Sequence, residues 1–255
     1  MTVLAGGTDV FPAMERGGPS LPILDITRIP KLRGIAQTET GGWRLGAATT
    51  WSDVLGAHLP AAFDGLKAAA RTVGSVQIQN AGTLAGNLCN ASPAADGVPP
   101  LLTLSAEVEI SSSAETRTLP LSDFLTGVRK TALRPGELVT GILVPPQPEA
   151  LAAGFQKLGS RRYLVISIAM VAVAAAQTAE GRIAELRIAA GACSPVARRL
   201  RRLEAALLWH RQETCRRLIA AHDFASDGIR PISDIRGTAS YREDVLATLV
   251  QRALS

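Results

Sequence analysis

The chain has 255 residues, of which 47% are hydrophobic but only 4% aromatic, and it carries a formal net charge of +5. This length allows one large domain or two modest ones, and the apolar content excludes a disordered chain. Most of the positive charge comes from arginines in the last third, which surround leucines at helical spacing without interleaved aromatic residues, so nucleic-acid binding is not expected.

The spacing of the cysteines and the length of the apolar runs exclude further classes of protein. Cys89, Cys193 and Cys215 are far apart and form no C-x-x-C pair, which argues against a zinc ribbon, an iron–sulfur loop or a secreted disulfide framework. The longest apolar run, 165–176, is shorter than the ~20 residues of a membrane-spanning helix. No signal peptide is recognisable at the start. We therefore expect a soluble cytoplasmic protein without a membrane span.

Short apolar segments separated by glycine- and proline-rich turns fill the first part of the chain. Thr50 is the expected N-cap of one helix, and Asp64 is expected in the opening turn of the next. The pattern predicts strands at 3–5, 23–26, 43–47, 108–110 and 138–144 and helices at 51–58 and 62–72. This mixture indicates an α+β domain spanning residues 1–146.

The proline-rich segment 144–148 is the predicted linker, because proline disrupts both helix and strand interiors. A second domain, 150–255, then follows. Its predicted strands are 154–158, 165–177 and 183–190, and its predicted helices are 196–208, 213–221 and 241–254. Three strands followed by helices favour a small layered α+β unit.

A glycine pair near the start is the first candidate binding feature. Gly6 and Gly7 follow a short apolar strand and precede Thr8 and Asp9. Glycine lets successive backbone amides converge on an anion, so positive side chains are not required there. The alternative for this pair alone is a plain hairpin or helix-entry turn.

A second candidate is the segment 77–96, which concentrates glutamine, asparagine, threonine, serine and aspartate among small apolar residues. So many amide groups predict a polar loop that meets a ligand with many hydrogen-bonding edges, such as a nucleotide. The alternative is a loop of asparagines that caps a sheet edge. Neither the P-loop motif nor the dinucleotide fingerprint G-x-G-x-x-G is present.

Taken together, these motifs resemble a known family, the FAD-binding medium subunits of the molybdenum hydroxylases, which include carbon monoxide dehydrogenase and xanthine dehydrogenase. The resemblance covers nearly the whole chain. It is carried by LAGGTD at 4–9, GTLAGN at 82–87, NASPAAD at 90–96, FQKLGSRR at 155–162, ISIA at 166–169 and DIRGTASYR at 234–242.

The resemblance implies a two-part FAD-binding domain of the vanillyl-alcohol-oxidase type, followed by a small C-terminal domain with a three-stranded sheet and helices. Both glycine segments would surround the pyrophosphate. Asp96 would bond the sugar or ribityl region, Val139 would line the ring pocket, and Lys157 would reach the isoalloxazine edge and raise the flavin potential. The matched cofactor-binding residues are Val3, Leu4, Ala5, Gly6, Gly7, Thr8, Asp9, Val10, Gly74, Thr83, Leu84, Ala85, Gly86, Asn87, Asp96, Val139 and Lys157.

The sequence departs from the family at two places. Ala85 stands where the family usually has glycine, which would cost about 1 kcal/mol if that position needs a positive φ. Family members usually begin with a strand–helix–strand segment before the first glycine turn, whereas here Met1 almost adjoins that turn. A subunit that kept the fold and lost FAD, acting as a scaffold, is therefore an alternative.

The function implied by the resemblance is electron transfer. A partner subunit with molybdopterin would hydroxylate the substrate, a small subunit with two [2Fe–2S] clusters would pass the electrons on, and FAD on this chain would deliver them to an external acceptor. No catalytic acid–base residue and no metal ligand is assigned to the chain. A free-standing FAD reductase is a further alternative, ranked last because no proton donor stands out.

Overall fold

The computed structural model describes residues 1–18 and 22–255, and this part of the chain forms two successive units of mixed helix and sheet. The strands are β1 (Thr2–Leu4), β2 (Ile23–Asp25), β3 (Ile35–Gln37), β4 (Trp43–Gly46), β5 (Glu107–Ser111), β6 (Thr116–Pro120), β7 (Leu125–Gly127), β8 (Lys130–Thr131), β9 (Leu138–Val144), β10 (Ala152–Leu158), β11 (Ala169–Gln177), β12 (Ile183–Gly191) and β13 (Arg198–Arg199).

The helices connect and cover these strands. They are α1 (Val10–Met14), α2 (Trp51–Gly56), α3 (Asp64–Thr72), α4 (Val76–Ala81), α5 (Leu84–Asn90), α6 (Val98–Thr103), α7 (Leu121–Phe124), α8 (Arg201–Leu207), α9 (Gln212–Ala220) and α10 (Ala239–Ala253). Short 3₁₀ turns lie at Pro30–Leu32, Ala61–Phe63 and Phe224–Asp227.

The first unit is built on a five-stranded sheet in the order β3-β4-β9-β5-β6. β9 lies at its centre and pairs antiparallel with β4 and β5. Alternation explains β5: Val108 and Ile110 are fully buried, while Glu107 and Glu109, which alternate with them, lie half-buried on the other face. A separate parallel pair, β1 with β2, leads into the first glycine turn.

The predicted start of the α2 helix is confirmed. The Thr50 hydroxyl accepts a hydrogen bond from the Asp53 amide, and the Asp53 carboxylate accepts one from the Thr50 amide, which completes a capping box. The preceding 3₁₀ turn takes the first residues of the predicted 62–72 helix, so α3 begins at Asp64.

The amide-rich segment differs from the predicted loop, because most of it is helical in α4 and α5. The buried Gln79 amide donates to the carbonyls of Arg71 and Val73, at 3.3 and 3.1 Å, so it braces the end of α3. Thr83 caps α5 through a bond from the Gly86 amide. Part of the amide content therefore serves local structure.

The second unit adds a short fourth strand to the three that the sequence predicts, in the order β10-β11-β12-β13. β11 begins at Ala169 and not at Val165, because residues 164–167 leave the ladder and Leu164 adopts a φ of +52°. The helix predicted from Val196 begins only at Arg201, because Arg198 and Arg199 pair with the edge of β12.

The two units pack closely against each other. Ala174 of β11 and Ala189 of β12 belong to the core of the first unit. Gln147, inside the proline-rich segment, donates to Leu104 O of the first unit and accepts from Arg187 of the second. These two hydrogen bonds connect the segment to both units. The domain boundaries at 146 and 150 stay predictions. Within residues 1–18 and 22–255, no helix combines the length and apolarity needed to cross a bilayer.

Candidate functional site

Both glycine segments line one cavity of about 660 Å³, which is lined by the first unit and by Ile166 of the second. The two bends touch: a Cβ added to Gly6 would lie 1.9 Å from the Ala81 carbonyl oxygen and 2.8 Å from the Gly82 Cα atom. No side chain can be accommodated at that contact, so Gly6 is required for the close approach. The cavity is therefore walled on two sides by segments that are far apart in sequence.

The turn after β1 presents unpaired backbone donors to this cavity. Gly7 has a φ of +70° and its carbonyl accepts the Phe11 amide at 3.0 Å, which starts α1. Among the described residues, the amides of residues 6–10 have no hydrogen-bond acceptor. Consecutive free N–H groups around a positive-φ glycine form an anion-binding nest, so this turn is suited to a phosphate.

The second glycine segment contributes differently. The Leu84 amide donates to Thr49 O at 3.0 Å and the Gly86 amide donates to the Thr83 hydroxyl at 3.0 Å, so these two donors are already used. The Ala85 amide has no acceptor among the described residues. Ala85 lies in the first turn of α5 without a positive φ, so alanine carries no backbone strain there.

A second cavity of about 370 Å³ adjoins the first and lies between the two units. Gly74, with a φ of +51°, lines it together with Asp96 and Lys157. The two cavities have four lining residues in common, namely Val73, Ile78, Asn87 and Ile166. A ligand longer than either cavity could therefore extend from the glycine turns to the boundary between the units.

Asp96 and Lys157 form an ion pair at this boundary, with 2.5 Å between Lys157 Nζ and Asp96 Oδ2 and only 9% of each side chain exposed. Ser167 donates to the other carboxylate oxygen at 2.5 Å, and Lys157 also donates to Thr72 O at 3.3 Å. Burial raises the pKa of Asp96 above its ordinary value, although Lys157 and Ser167 both oppose that shift. The sequence placed both charged residues near the flavin but did not predict their pairing.

The remaining predicted residues divide into two groups. Val139 is buried and lines the larger cavity, as do Val3, Thr8 and Asn87. Leu4 and Leu84 do not line either cavity, and Leu84 packs in the core. The larger cavity also has lining residues that the predicted cofactor-binding set does not contain, namely Ile26, Ala47, Trp51, Val73, Ile78, Gly82, Cys89, Asn90, Leu133, Glu137, Leu138 and Ile166.

Glu137 is the charged residue among these additional lining residues, and its carboxylate forms an ion pair with Arg117. Its two oxygens accept bonds from Arg117 Nε at 2.7 Å and Nη2 at 2.8 Å, and the Arg134 amide donates to one of them. These bonds, led by those from Arg117, lower the pKa of Glu137 to about 2. Its position directly before β9 and Val139 was the available sequence signal.

Comparison with known families agrees with this geometry. Residues 1–147 match the family described as "FAD binding domain in molybdopterin dehydrogenase", and residues 155–255 match the "CO dehydrogenase flavoprotein C-terminal domain". The chain belongs to the FAD-binding medium subunits of the molybdenum hydroxylases. This confirms the resemblance inferred from the glycine motifs.

Curated relatives cover the chain almost completely. The xanthine dehydrogenase FAD-binding subunit of Escherichia coli O157:H7 is 31% identical over 267 residues, which include 99% of this chain and 87% of that protein. The nicotine 6-hydroxylase medium subunit of Paenarthrobacter nicotinovorans is 29% identical, with 99% and 88% covered. The carbon monoxide dehydrogenase medium chain of Hydrogenophaga pseudoflava is 28% identical, with the same coverage.

Solved structures confirm the two-domain flavoprotein fold. Reconstituted CO dehydrogenase from Oligotropha carboxidovorans has a TM-score of 0.90 at 26% identity, and the match covers 99% of this chain and 88% of that one. Quinoline 2-oxidoreductase from Pseudomonas putida 86 has a TM-score of 0.85 at 25% identity, with 99% and 87% covered.

The residues present fit FAD, the cofactor of this family. The nest at residues 6–10 offers a diphosphate several amides that have no acceptor among the described residues, and Gly6, which lacks a Cβ, lets the second glycine segment meet this turn. The larger cavity, at about 660 Å³, falls within the roughly 300–1,000 Å³ that is usual for small-molecule sites, and the adjoining cavity extends it.

Proposed function

We propose that this chain carries FAD as the electron-transfer subunit of a multi-subunit molybdenum hydroxylase. Its partners would be a large molybdopterin-binding subunit and a small subunit with two [2Fe–2S] clusters. Bound FAD supplies a redox centre that takes electrons from these clusters and passes them to an external acceptor. The observation that carries the proposal is the run of amides at residues 6–10 that have no acceptor in the described part of the chain and that line a cavity of about 660 Å³ beside the close approach of Gly6 to Gly82.

Each binding residue has a stated role in this proposal. The amides of residues 6–10 hold the diphosphate, with the Ala85 amide as a further donor from the opposite wall. Val139 packs against the ring system, since it is apolar, buried and faces the larger cavity. Asp96 accepts a hydrogen bond from the sugar or ribityl region.

Lys157 places a positively charged ammonium group near the flavin ring. Its ammonium group has three N–H donors, of which Asp96 and the Thr72 carbonyl take two. The third is left for the edge of the isoalloxazine ring, where a positive charge stabilises reduced flavin and raises its potential. Because Asp96 neutralises part of this charge, the ion pair moderates the effect.

The visible spectrum of the purified full chain tests flavin binding. A flavin band, and release of FAD on denaturation, are expected. A colourless protein that releases no FAD would favour the scaffold alternative, in which the fold is kept without the cofactor. Ala85, one of the two departures that motivated that alternative, lies unstrained in α5.

Electron delivery is tested in the assembled complex. The complex is reduced with dithionite and then mixed separately with NAD, a soluble quinone and dioxygen while cluster absorbance is followed. Rapid reoxidation by at least one acceptor is expected, and it should be lost in a complex that contains Gly7→Val. Equal reoxidation of both complexes would show that electrons leave without this chain.

A cytoplasmic location is part of the proposal, supported by the free thiols of all three cysteines.

A further inference from the structure

The motif at residues 234–242 matches the family but lines neither cavity, so its role is not explained by flavin contact. Arg242 is the last residue of this motif. It belongs to α10, and although it carries a guanidinium group only 1% of the residue is exposed. Burial of such a group is costly unless it is paired and hydrogen-bonded, so its partners indicate what it does.

The Arg242 guanidinium hydrogen-bonds to two separate segments of the second unit, one at Ile168 and one at Ala192. Its Nη1 donates to Ile168 O at 2.9 Å and also to Ala192 O, and its Nη2 donates to Asp234 Oδ1 at 2.6 Å. Burial acts against the charged form of Asp234, but the Arg236 amide and the Arg242 charge outweigh it and lower the pKa of Asp234. The guanidinium thus has an ionised partner on one side and two carbonyls on the other.

The segments at Ile168 and Ala192 both contact the first unit beside the proposed flavin site. Ser167, which precedes Ile168, donates to Asp96 Oδ1 at 2.5 Å. The Ala192 amide, in the same residue whose carbonyl Arg242 holds, donates to Pro93 O at 2.9 Å. Pro93 and Asp96 lie on one short stretch of the first unit, so the second unit secures that stretch at two points.

We propose that Arg242 is a positioning residue for the flavin site, which acts through the Ser167 hydroxyl to orient the Asp96 carboxylate. The inference rests on the proposed function, because it takes Asp96 as a flavin-binding residue. Asp96 has two carboxylate oxygens, and Lys157 and Ser167 each hold one. When Ser167 is displaced, the carboxylate can rotate about its side chain and no longer presents a fixed acceptor to the flavin.

The planar fork of arginine suits this task, because one guanidinium can reach two carbonyls and a carboxylate in fixed directions. A lysine ammonium at the same place keeps the charge but loses the fork. Arg242→Lys therefore separates positioning from charge. Arg199→Lys is a matched control, because Arg199 binds Glu204 with both Nε and Nη2 and reaches Leu102 O, but lines neither cavity.

The experiment is an FAD titration of the full chain, followed by flavin fluorescence, with the midpoint of thermal unfolding of each FAD-free variant measured in parallel. Arg242→Lys and Ser167→Ala are each expected to weaken FAD binding roughly fivefold to tenfold, the loss of about one hydrogen bond. The Kd of the double variant should be within about twofold of the Kd of the weaker-binding single variant, because both substitutions act on the same contact. Arg199→Lys should leave the Kd unchanged.

Two results would overturn the inference. Unchanged Kd values for Arg242→Lys and Ser167→Ala, with lowered unfolding midpoints, would show a merely structural role. Effects that multiply in the double variant would show that the two residues act separately. If Arg242→Lys does not fold, Asp234→Asn takes its place in the cycle with Ser167→Ala.

Asp96→Asn separates the inference from the proposed function. If this variant binds FAD like wild type, Asp96 is not a flavin-binding residue and the inference fails with it. If Asp96→Asn weakens binding while Ser167→Ala and Arg242→Lys do not, Asp96 keeps its role and only the positioning by Arg242 fails.

Discussion

Replacement of Gly7 by valine tests the anion-binding nest directly, because Gly7 combines a positive φ with a place in the cavity wall. Its φ is +70°, and an added Cβ would lie 2.3 Å from the Phe11 ring. Phe11 is 56% exposed, so its ring can swing into solvent and relieve that clash. The main cost to the fold is then the left-handed backbone, about 1–2 kcal/mol for an L-residue.

The effect on flavin binding should be much larger than the effect on stability. Hydrogen bonds to charged groups contribute about 1.5–3 kcal/mol each. A branched side chain at Gly7 moves the diphosphate away from at least two of the five amides, which amounts to ~3–6 kcal/mol. At about 1.4 kcal/mol for each factor of ten, FAD binding should weaken by two to four powers of ten.

Gly181→Val is the matched control. Gly181 has a φ of +73°, lies in the turn between β11 and β12, and has no atom within 4 Å of an added Cβ. It lines neither of the cavities described above. Both variants should lose similar free energy of unfolding, measured by urea titration, while only Gly7→Val loses FAD in a fluorescence titration. A Kd for Gly7→Val within about threefold of wild type would refute the nest.

Three further substitutions test local parts of the site. Ala85→Gly should lower the unfolding midpoint, because glycine in a helix costs roughly 0.5–1 kcal/mol, and should leave the Kd for FAD within about twofold in the same titration. Thr83→Ala removes the N-cap of α5 and should cost about 1 kcal/mol in urea unfolding. Glu137→Gln should be less stable than wild type above pH 4.5, and this difference should vanish as the pH falls towards 2, since the folded-state pKa of about 2 lies below the ordinary 4.5. Midpoints that stay parallel across that range would contradict the assignment of Glu137.

The elements with a clear local signal were predictable from sequence. Alternation in β5 and the cap at Thr50 depend on residues close together in the chain, and both are confirmed. The helices in 76–90 were missed because glutamine, asparagine and glycine suggest a loop, whereas in the structure the Gln79 amide donates to the carbonyls of Arg71 and Val73 at the end of α3 and so supports a helix. β13 was missed for a related reason, since only the edge of β12 makes Arg198 and Arg199 a strand.

The site shows the same division between local and distant signals. Gly6 and Gly7 were recognisable because glycine marks a backbone conformation or a close approach. Ile166 was not assigned to the site although it opens the ISIA motif at 166–169, because an isoleucine before a strand does not by itself indicate that it lines a cavity shared with the first unit. The Asp96–Lys157 pair was likewise hidden, because both residues were expected to address the cofactor separately.

The position of that pair links cofactor binding to the association of the two units. The smaller cavity exists only while Asp96 of the first unit faces Lys157 and Ile166 of the second. A ligand that fills both cavities therefore binds the associated arrangement and not the separated one, and it must stabilise that arrangement by the free energy of its binding. On the proposed function, in which FAD fills both cavities, the second unit is then part of the flavin site and contributes Lys157 and Ile166 to it.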